Sequence, residues 1–323
     1  MSNSAKKRFF LLIKITAGLA LFYVLANRLY NEFENMDWGE FRTKINTAEA
    51  LFLFSIAICL MGFNWLLESY KWKIIISKVL TNIDLFTAFR SVLSGVAFGN
   101  LAPGRATEFA GKILFLPPEI RATATYLHFV NGIIQLIITL ITGVFSLLFI
   151  LLLHGDFYSS NGIAYAFIIS GILLTILGAF IFRPTWFYSV LQKNKTIKKY
   201  LSAKIQISRH ALAQVGVLSV LRYLIFSIQF YLLIYIFFDN IPVIKICLGI
   251  SIYYLLTTII PMFSAIEAFM RGGIAVVIFT PIENNAVHIF MASTFLWFIN
   301  IVIPSILGYV FFLFLKTKEK NQA

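Results

Sequence analysis

Acidic side chains are scarce in this chain, and so is charge of any kind. Asp and Glu number 14 against 27 Lys and Arg; charged residues fill 13% of 323 positions while apolar types fill 59%. A soluble domain carries about twice that share of charge, so a water-soluble globule is excluded and a polytopic membrane protein is implied. The only two cysteines, Cys59 and Cys247, lie in separate apolar stretches. That spacing excludes a disulfide framework and a thiolate metal site, and both read as core packing. The four histidines are scattered without an H-E-x-x-H pattern, and there is neither a P-loop nor a G-x-S-x-G elbow. An ATP-driven pump within this chain is thereby excluded, and no cofactor is expected. The longest polar stretches, 28–48 and 183–210, leave no room for a large soluble domain. The net charge of +13, in so apolar a background, points to anionic lipid surfaces and not to nucleic acid.

Apolar runs of the length needed to cross a bilayer occur at 9–27, 49–67, 123–153, 160–182, 211–237 and 286–315. The first follows Lys6-Lys7-Arg8 and contains Lys14, without a clear cleavage site, and reads as an uncleaved span. Two more apolar regions, 84–116 and 243–280, are interrupted and read as re-entrant helical hairpins, with pairs of true spans as the alternative. The expected fold is an all-α polytopic membrane protein of about six spanning helices plus two broken hairpins, a single transmembrane domain over 1–323. With the N-terminus in the cytoplasm, most basic residues, including Lys71, Lys73, Lys78, Arg90, Arg105, Lys112 and the cluster between Arg183 and Arg209, gather on the cytoplasmic side. Both termini are then cytoplasmic. Segment 68–80 mixes Lys71, Trp72 and Lys73 with aliphatics and reads either as an interfacial helix with Trp72 at headgroup level or as a continuation of the second span.

The two interruptions resemble each other. One runs from Asn82 to Pro103-Gly104-Arg105 with Glu108 and Lys112 beyond; the other runs from Asn240 to Pro261 with Glu267 and Arg271 beyond. Each Asn-to-Pro distance is 21 positions, and each acid precedes a base by four, the favourable order on a helix. Three spans separate them, so the second is inverted relative to the first, with repeat halves 49–182 and 211–315 joined by a basic cytoplasmic loop 183–210. A helix restarting after Pro103 would place Arg105, Glu108 and Lys112 on one face. Asn100, Pro103, Gly104, Arg105, Glu108, Lys112, Pro261, Glu267 and Arg271 are the candidate site residues. Arg222, deep in its span with Gln229 seven positions on, reads as facing a cavity. Asn131 and Gln135 read as helix–helix hydrogen bonding, and Asn300 with Pro304 as a kink.

The stretch Gly99-Asn100-Leu101-Ala102-Pro103-Gly104-Arg105-Ala106-Thr107-Glu108, preceded by Tyr70-Lys71-Trp72, resembles the first motif of the lysylphosphatidylglycerol synthase transmembrane-region family, roughly Asn-x-x-Pro-Gly-Arg-x-Gly-Glu. Pro261 through Glu267 resembles its later glycine-rich element. Thr107 stands where that family has glycine, and Ser264 and Ala265 stand where it has a glycine pair. The resemblance spans about 10–315 and implies an integral protein of a prokaryotic cytoplasmic membrane that binds or flips lipid. The soluble lysyl-transferring domain of the family's best-understood members has no counterpart here, so synthase activity is not implied. The expected partner is membrane lipid, anionic in headgroup, with the ten candidate residues holding it. The alternative is an enzyme, or an accessory subunit for a partner enzyme, of lipid or polyprenyl-phosphate modification, using Asp84 or Glu108.

Overall fold

The computed structural model describes residues 34, 38–80, 82–102, 105–153, 207–238, 242–260, 262, 266–282 and 285–315. Regular structure among them is helical: α1 (Trp38–Ile45), α2 (Ala48–Ile76), α3 (Leu85–Gly99), α4 (Glu108–Ile113), α5 (Arg121–Leu153), α6 (Arg209–Tyr235), α7 (Val243–Ile259), α8 (Glu267–Phe279), α9 (Ala286–Trp297) and α10 (Ile303–Leu313). A π-helical turn over Phe298–Val302 joins α9 to α10. Helices begin where a small polar residue precedes an apolar run. Thr47 Oγ1 accepts from the Ala50 amide at 3.0 Å, Asp84 Oδ2 from Thr87 at 3.1 Å, and Asn285 Oδ1 from His288 at 3.0 Å, each satisfying an orphan donor of the first turn.

Four helical stretches have the length and hydropathy to cross a membrane: Ala48–Ile76, Pro118–Ile150, Arg209–Tyr235 and Ala286–Leu313. They correspond to the spans expected at 49–67, 123–153, 211–237 and 286–315. The spans expected at 9–27 and 160–182, and residues 183–206 of the basic loop, lie outside the described residues. α2 and α6 run antiparallel: Gln229 Nε2 donates to the Ala57 carbonyl at 2.8 Å, and Arg222 Nε to Asn64 Oδ1 at 2.9 Å.

Both interrupted regions fold as helical hairpins. α4 returns along α3: Ser91 Oγ donates to the Lys112 carbonyl at 2.8 Å, and Thr107 Oγ1 donates to the Phe98 carbonyl at the tip. The backbones touch because glycine stands at the contact. A Cβ on Gly111 would lie 2.4 Å from the Ser94 carbonyl oxygen, and one on Gly95 would lie 2.7 Å from Lys112 Cγ. α10 closes on the other side of α3, where Ser94 Oγ donates to the Gly308 carbonyl at 2.9 Å. α8 returns along α7, with Phe279 packed over Gly249. α3 and α7 have 15 and 17 residues, about 22 and 25 Å of helix, short of a hydrocarbon core of about 30 Å.

The two hairpins start near opposite ends of α2. Ser91 of α3 accepts from Trp72 Nε1 at 3.1 Å, near the end of α2. α7 instead follows α6, whose end lies near the start of α2: Lys44 Nζ donates to the Phe237 carbonyl at 2.9 Å, and Phe237 stacks on Phe41 of α1.

One open alternative is decided and two expectations need correction. Of the two readings of segment 68–80, the continuation of the second span holds: α2 runs through Ile76, and Trp72 is fully buried. Glu68, Lys71 and Trp72 have partners inside the bundle, which removes their reason to lie at the headgroups. Cys59 and Cys247 are free and exposed on helix exteriors, since lipid tails accept an apolar side chain as readily as a core does. Finally, Arg105, Glu108 and Lys112 do not share one helical face. Arg105 has φ 58° and α4 starts only at Glu108.

Candidate functional site

The turn of the first hairpin, the C-terminal half of α2 and the facing sides of α5 and α6 line a half-open cavity of about 440 Å³. Its charged lining is Glu68, Lys71, Arg105, Glu108, Lys112 and Arg222. Among the described residues that is four basic side chains against two acidic ones.

Glu68 is the hub. Its carboxylate meets Lys71 at 3.3 Å on its own helix, Lys112 at 3.1 Å from α4, and Arg222 from α6. Asn131 Nδ2 of α5 donates to the same carboxylate at 2.8 Å. One buried acid thus ties four helices together, and each of the three bases is at most 8% exposed in its side chain. Such charges are tolerable in a dry interior only because they are paired and hydrogen-bonded. Gln135 serves the rim, accepting from Lys71 Nζ and donating to the Ser219 carbonyl, both at 3.2 Å. Aromatic faces complete the cage: Lys112 lies 5.5 Å from the Trp72 ring centroid and Arg222 lies 5.5 Å from that of Trp65, within cation–π range.

Arg105 is different. It approaches Glu108 to 3.6 Å, beyond hydrogen-bond reach, while Glu108 is already held by Lys112 at 3.1 Å. Arg105 Nε and Nη2 are buried without a hydrogen-bond partner. Its left-handed backbone is uncommon outside glycine and costs about 1 kcal/mol or more.

Arg105 also lines a second, adjoining cavity of about 190 Å³ between α5, α6, α7, α8 and the π-helical turn. Gln135, Thr139, Phe226, Thr258 and Ile301 are shared by both. Arg271 of the second hairpin lines the smaller cavity, tied to Glu267 at 2.9 Å. Arg105 from the first hairpin and Thr257, Thr258 and Arg271 from the second therefore line one adjoining pair of cavities.

Of the candidate residues, Arg105, Glu108, Lys112, Arg222 and Arg271 line this space, and Glu267 supports Arg271 from behind. Asn100 does not reach it: its amide donates to Ser305 Oγ at 2.8 Å, fastening the turn to α10. Gln229 is also turned away, toward α2. Pro103, Gly104 and Pro261 lie outside the described residues. Asn131 and Gln135 make the expected interhelical bonds, and Asn300 with Pro304 marks a kink, the π-helical turn. Asp84 caps α3, where its bonds to Thr87 lower its carboxyl pKa below the ordinary aspartate value.

Sequence reasoning missed Asn64, Trp65, Glu68, Lys71 and His128. Asn64, Glu68 and Lys71 recur at i, i+4 and i+7, one face of a helix. That signal becomes readable once α2 is known to run past residue 67. Lys71 and Lys112 are buried within the bundle and Arg105 lines its cavity, so the three leave the tally of loop charges.

Helices long and apolar enough to span a membrane, around an internal charged cavity, define a polytopic integral membrane protein. The chain belongs to the family described as the lysylphosphatidylglycerol synthase transmembrane region, whose model matches residues 11–277. Membership sets it among membrane proteins of lipid modification or translocation, with membrane lipids as its partners. No curated protein and no solved structure gave a match.

Proposed function

We propose that this protein is a lipid flippase, or a lipid-binding transporter, that takes an anionic lipid headgroup into the cavity between the two hairpin tips. The hairpins dip into the bilayer from opposite faces, so each leaflet has a route to the same pocket. The surplus of two cations attracts a phosphate, and Arg105 supplies free N–H groups in fork geometry for it. Glu68 keeps the bases in place when the pocket holds no lipid. The α5 wall carries exposed Phe129 and Leu136 at the cavity edge, which lets acyl chains stay in the membrane while the headgroup enters.

The observation that carries this reading is Arg105, whose buried Nε and Nη2 make no hydrogen bond and which meets Glu108 only at 3.6 Å, on the wall of both cavities. It is tested in vesicles with a fluorescent phosphatidylglycerol and an external quencher. Wild-type protein is expected to bring inner-leaflet probe out to the quencher, and Arg105→Gln to slow that transfer at least about tenfold, the loss of roughly 1.4 kcal/mol. Wild-type protein that moves no probe, or an unaffected variant, argues against lipid translocation.

A further inference from the structure

Among the described residues, one titratable side chain on the wall of the larger cavity takes no part in the ion-pair network around Glu68. His128 of α5 lines that cavity together with Arg105, Glu108 and Lys112 of the first hairpin, Glu68 and Lys71 of α2, and Arg222 of α6. The other ionisable groups there have partners. Glu68 pairs with Lys71, Lys112 and Arg222, and Glu108 pairs with Lys112 and, at 3.6 Å, with Arg105. Both arginines keep their protons at any physiological pH. His128 Nδ1, in contrast, is buried and makes no hydrogen bond, while its ring meets Phe129 edge-on at 5.5 Å. Imidazole is the side chain whose unperturbed titration falls between about pH 5 and 8. Ionisable groups inside a membrane commonly mark ion or proton paths.

A proton on His128 adds positive charge to a wall where four basic side chains already face two acidic ones. Repulsion between like charges opposes that addition at low dielectric. A phosphate anion in the cavity offsets it, and an imidazolium N–H bonds a phosphate oxygen more strongly than a neutral ring does. Anion and proton therefore favour each other, and by linkage each raises the affinity for the other by the same factor. The cavity is half-open, so water can bring the proton and take it away.

Resting on the lipid-handling reading above, we propose that the proton is a second transported species: His128 takes up one proton with each anionic headgroup, and the two cross together as an electroneutral symport. The proton gradient then sets the direction of lipid movement. A phosphodiester lacks the second ionisation of a phosphate monoester, so the pH dependence belongs to the protein and not to the lipid.

Two measurements test this. In the first, purified full-length protein in weakly buffered detergent is mixed with short-chain phosphatidylglycerol in the presence of a pH indicator. The protein is expected to take up protons as it binds, and its affinity to fall several-fold as the pH rises from about 6 to 8. His128→Gln and His128→Asn, which stay polar but do not titrate, are expected to lose both effects. Proton uptake that persists in either variant, melting as wild type does, overturns the assignment to His128. In the second, vesicles carry a pH gradient of about one unit, with the membrane potential held at zero by potassium and valinomycin. Wild-type protein is expected to enrich fluorescent phosphatidylglycerol about tenfold in the leaflet facing the alkaline side, where one proton balances one lipid. Probe that crosses but spreads evenly overturns the coupling and leaves the anionic-lipid reading intact. Probe that neither binds nor crosses removes that reading and the symport with it.

Discussion

Lys112 Nζ lies 3.1 Å from Glu68 Oε1 on α2 and 3.1 Å from Glu108 Oε1 one turn earlier on its own helix. This single ammonium joins the first hairpin to the body of the bundle. Lys112 is buried, and the carboxylate it shares with Arg222 and Lys71 has nowhere to be replaced by water at low cost. The site is thus also a structural joint, and variants at its centre separate stability from ligand handling.

Glu68→Gln leaves Lys71, Lys112 and Arg222 converging on a neutral amide. Stranding buried charge costs about 3–5 kcal/mol, so the variant is expected to melt several degrees below wild type in detergent. Glu108→Gln, whose carboxylate is 19% exposed and pairs, among the described residues, with Lys112 and Arg105, should cost less. Thermal unfolding of the two side by side checks the order.

At position 105 the backbone is left-handed, a conformation that glycine adopts freely. Arg105→Gly is expected to be about 1 kcal/mol more stable than Arg105→Ala, although both lose the guanidinium and with it anionic-lipid binding. Denaturation of the pair tests the strain, and a loss of lipid binding common to both variants tests the side chain.

Gly111→Ala sets a methyl group 2.4 Å from a backbone oxygen of α3. The hairpin must part, at about 1–3 kcal/mol, and Lys112 moves off Glu68. Gly132→Ala, where a Cβ meets nothing within 4 Å, serves as the control and should melt like wild type.

Cys59 and Cys247 face outward from α2 and α7. A membrane-permeant maleimide is expected to label both in vesicles, and a charged maleimide of similar size to label neither. Labelling by the charged reagent would move these faces out of lipid.

Much of the fold was legible because hydrophobic run length decides whether a segment crosses a bilayer. The spans at 49–67, 123–153, 211–237 and 286–315 all reappear as long apolar helices. The hairpins were flagged by Pro103 and Pro261 beside acid–base pairs, and Arg222 by its depth. What stayed hidden is tertiary. Glu68 and Lys71 look like interface charges at the end of an apolar run, and only Asn131, Lys112 and Arg222, all distant in sequence, explain their burial. Arg105 was found by its motif, yet its conformation was not: a helical register through 105–112 is the simplest pattern, and the left-handed turn overrides it. Cysteine burial was misread because apolar surroundings in a membrane protein do not distinguish core from lipid.

The central claim is that the space between the hairpin tips is positively charged and holds an anionic lipid. Gly132 lines the larger cavity with open room for a side chain, so Gly132→Cys in a background with Cys59 and Cys247 changed to serine reports on it directly. The measurement is the rate at which that cysteine reacts with anionic and cationic methanethiosulfonates, each corrected for its rate with free thiol. The account predicts that the anionic reagent wins by about tenfold or more and that phosphatidylglycerol slows it. A cationic reagent that reacts as fast or faster, with no protection by the lipid, would contradict the account.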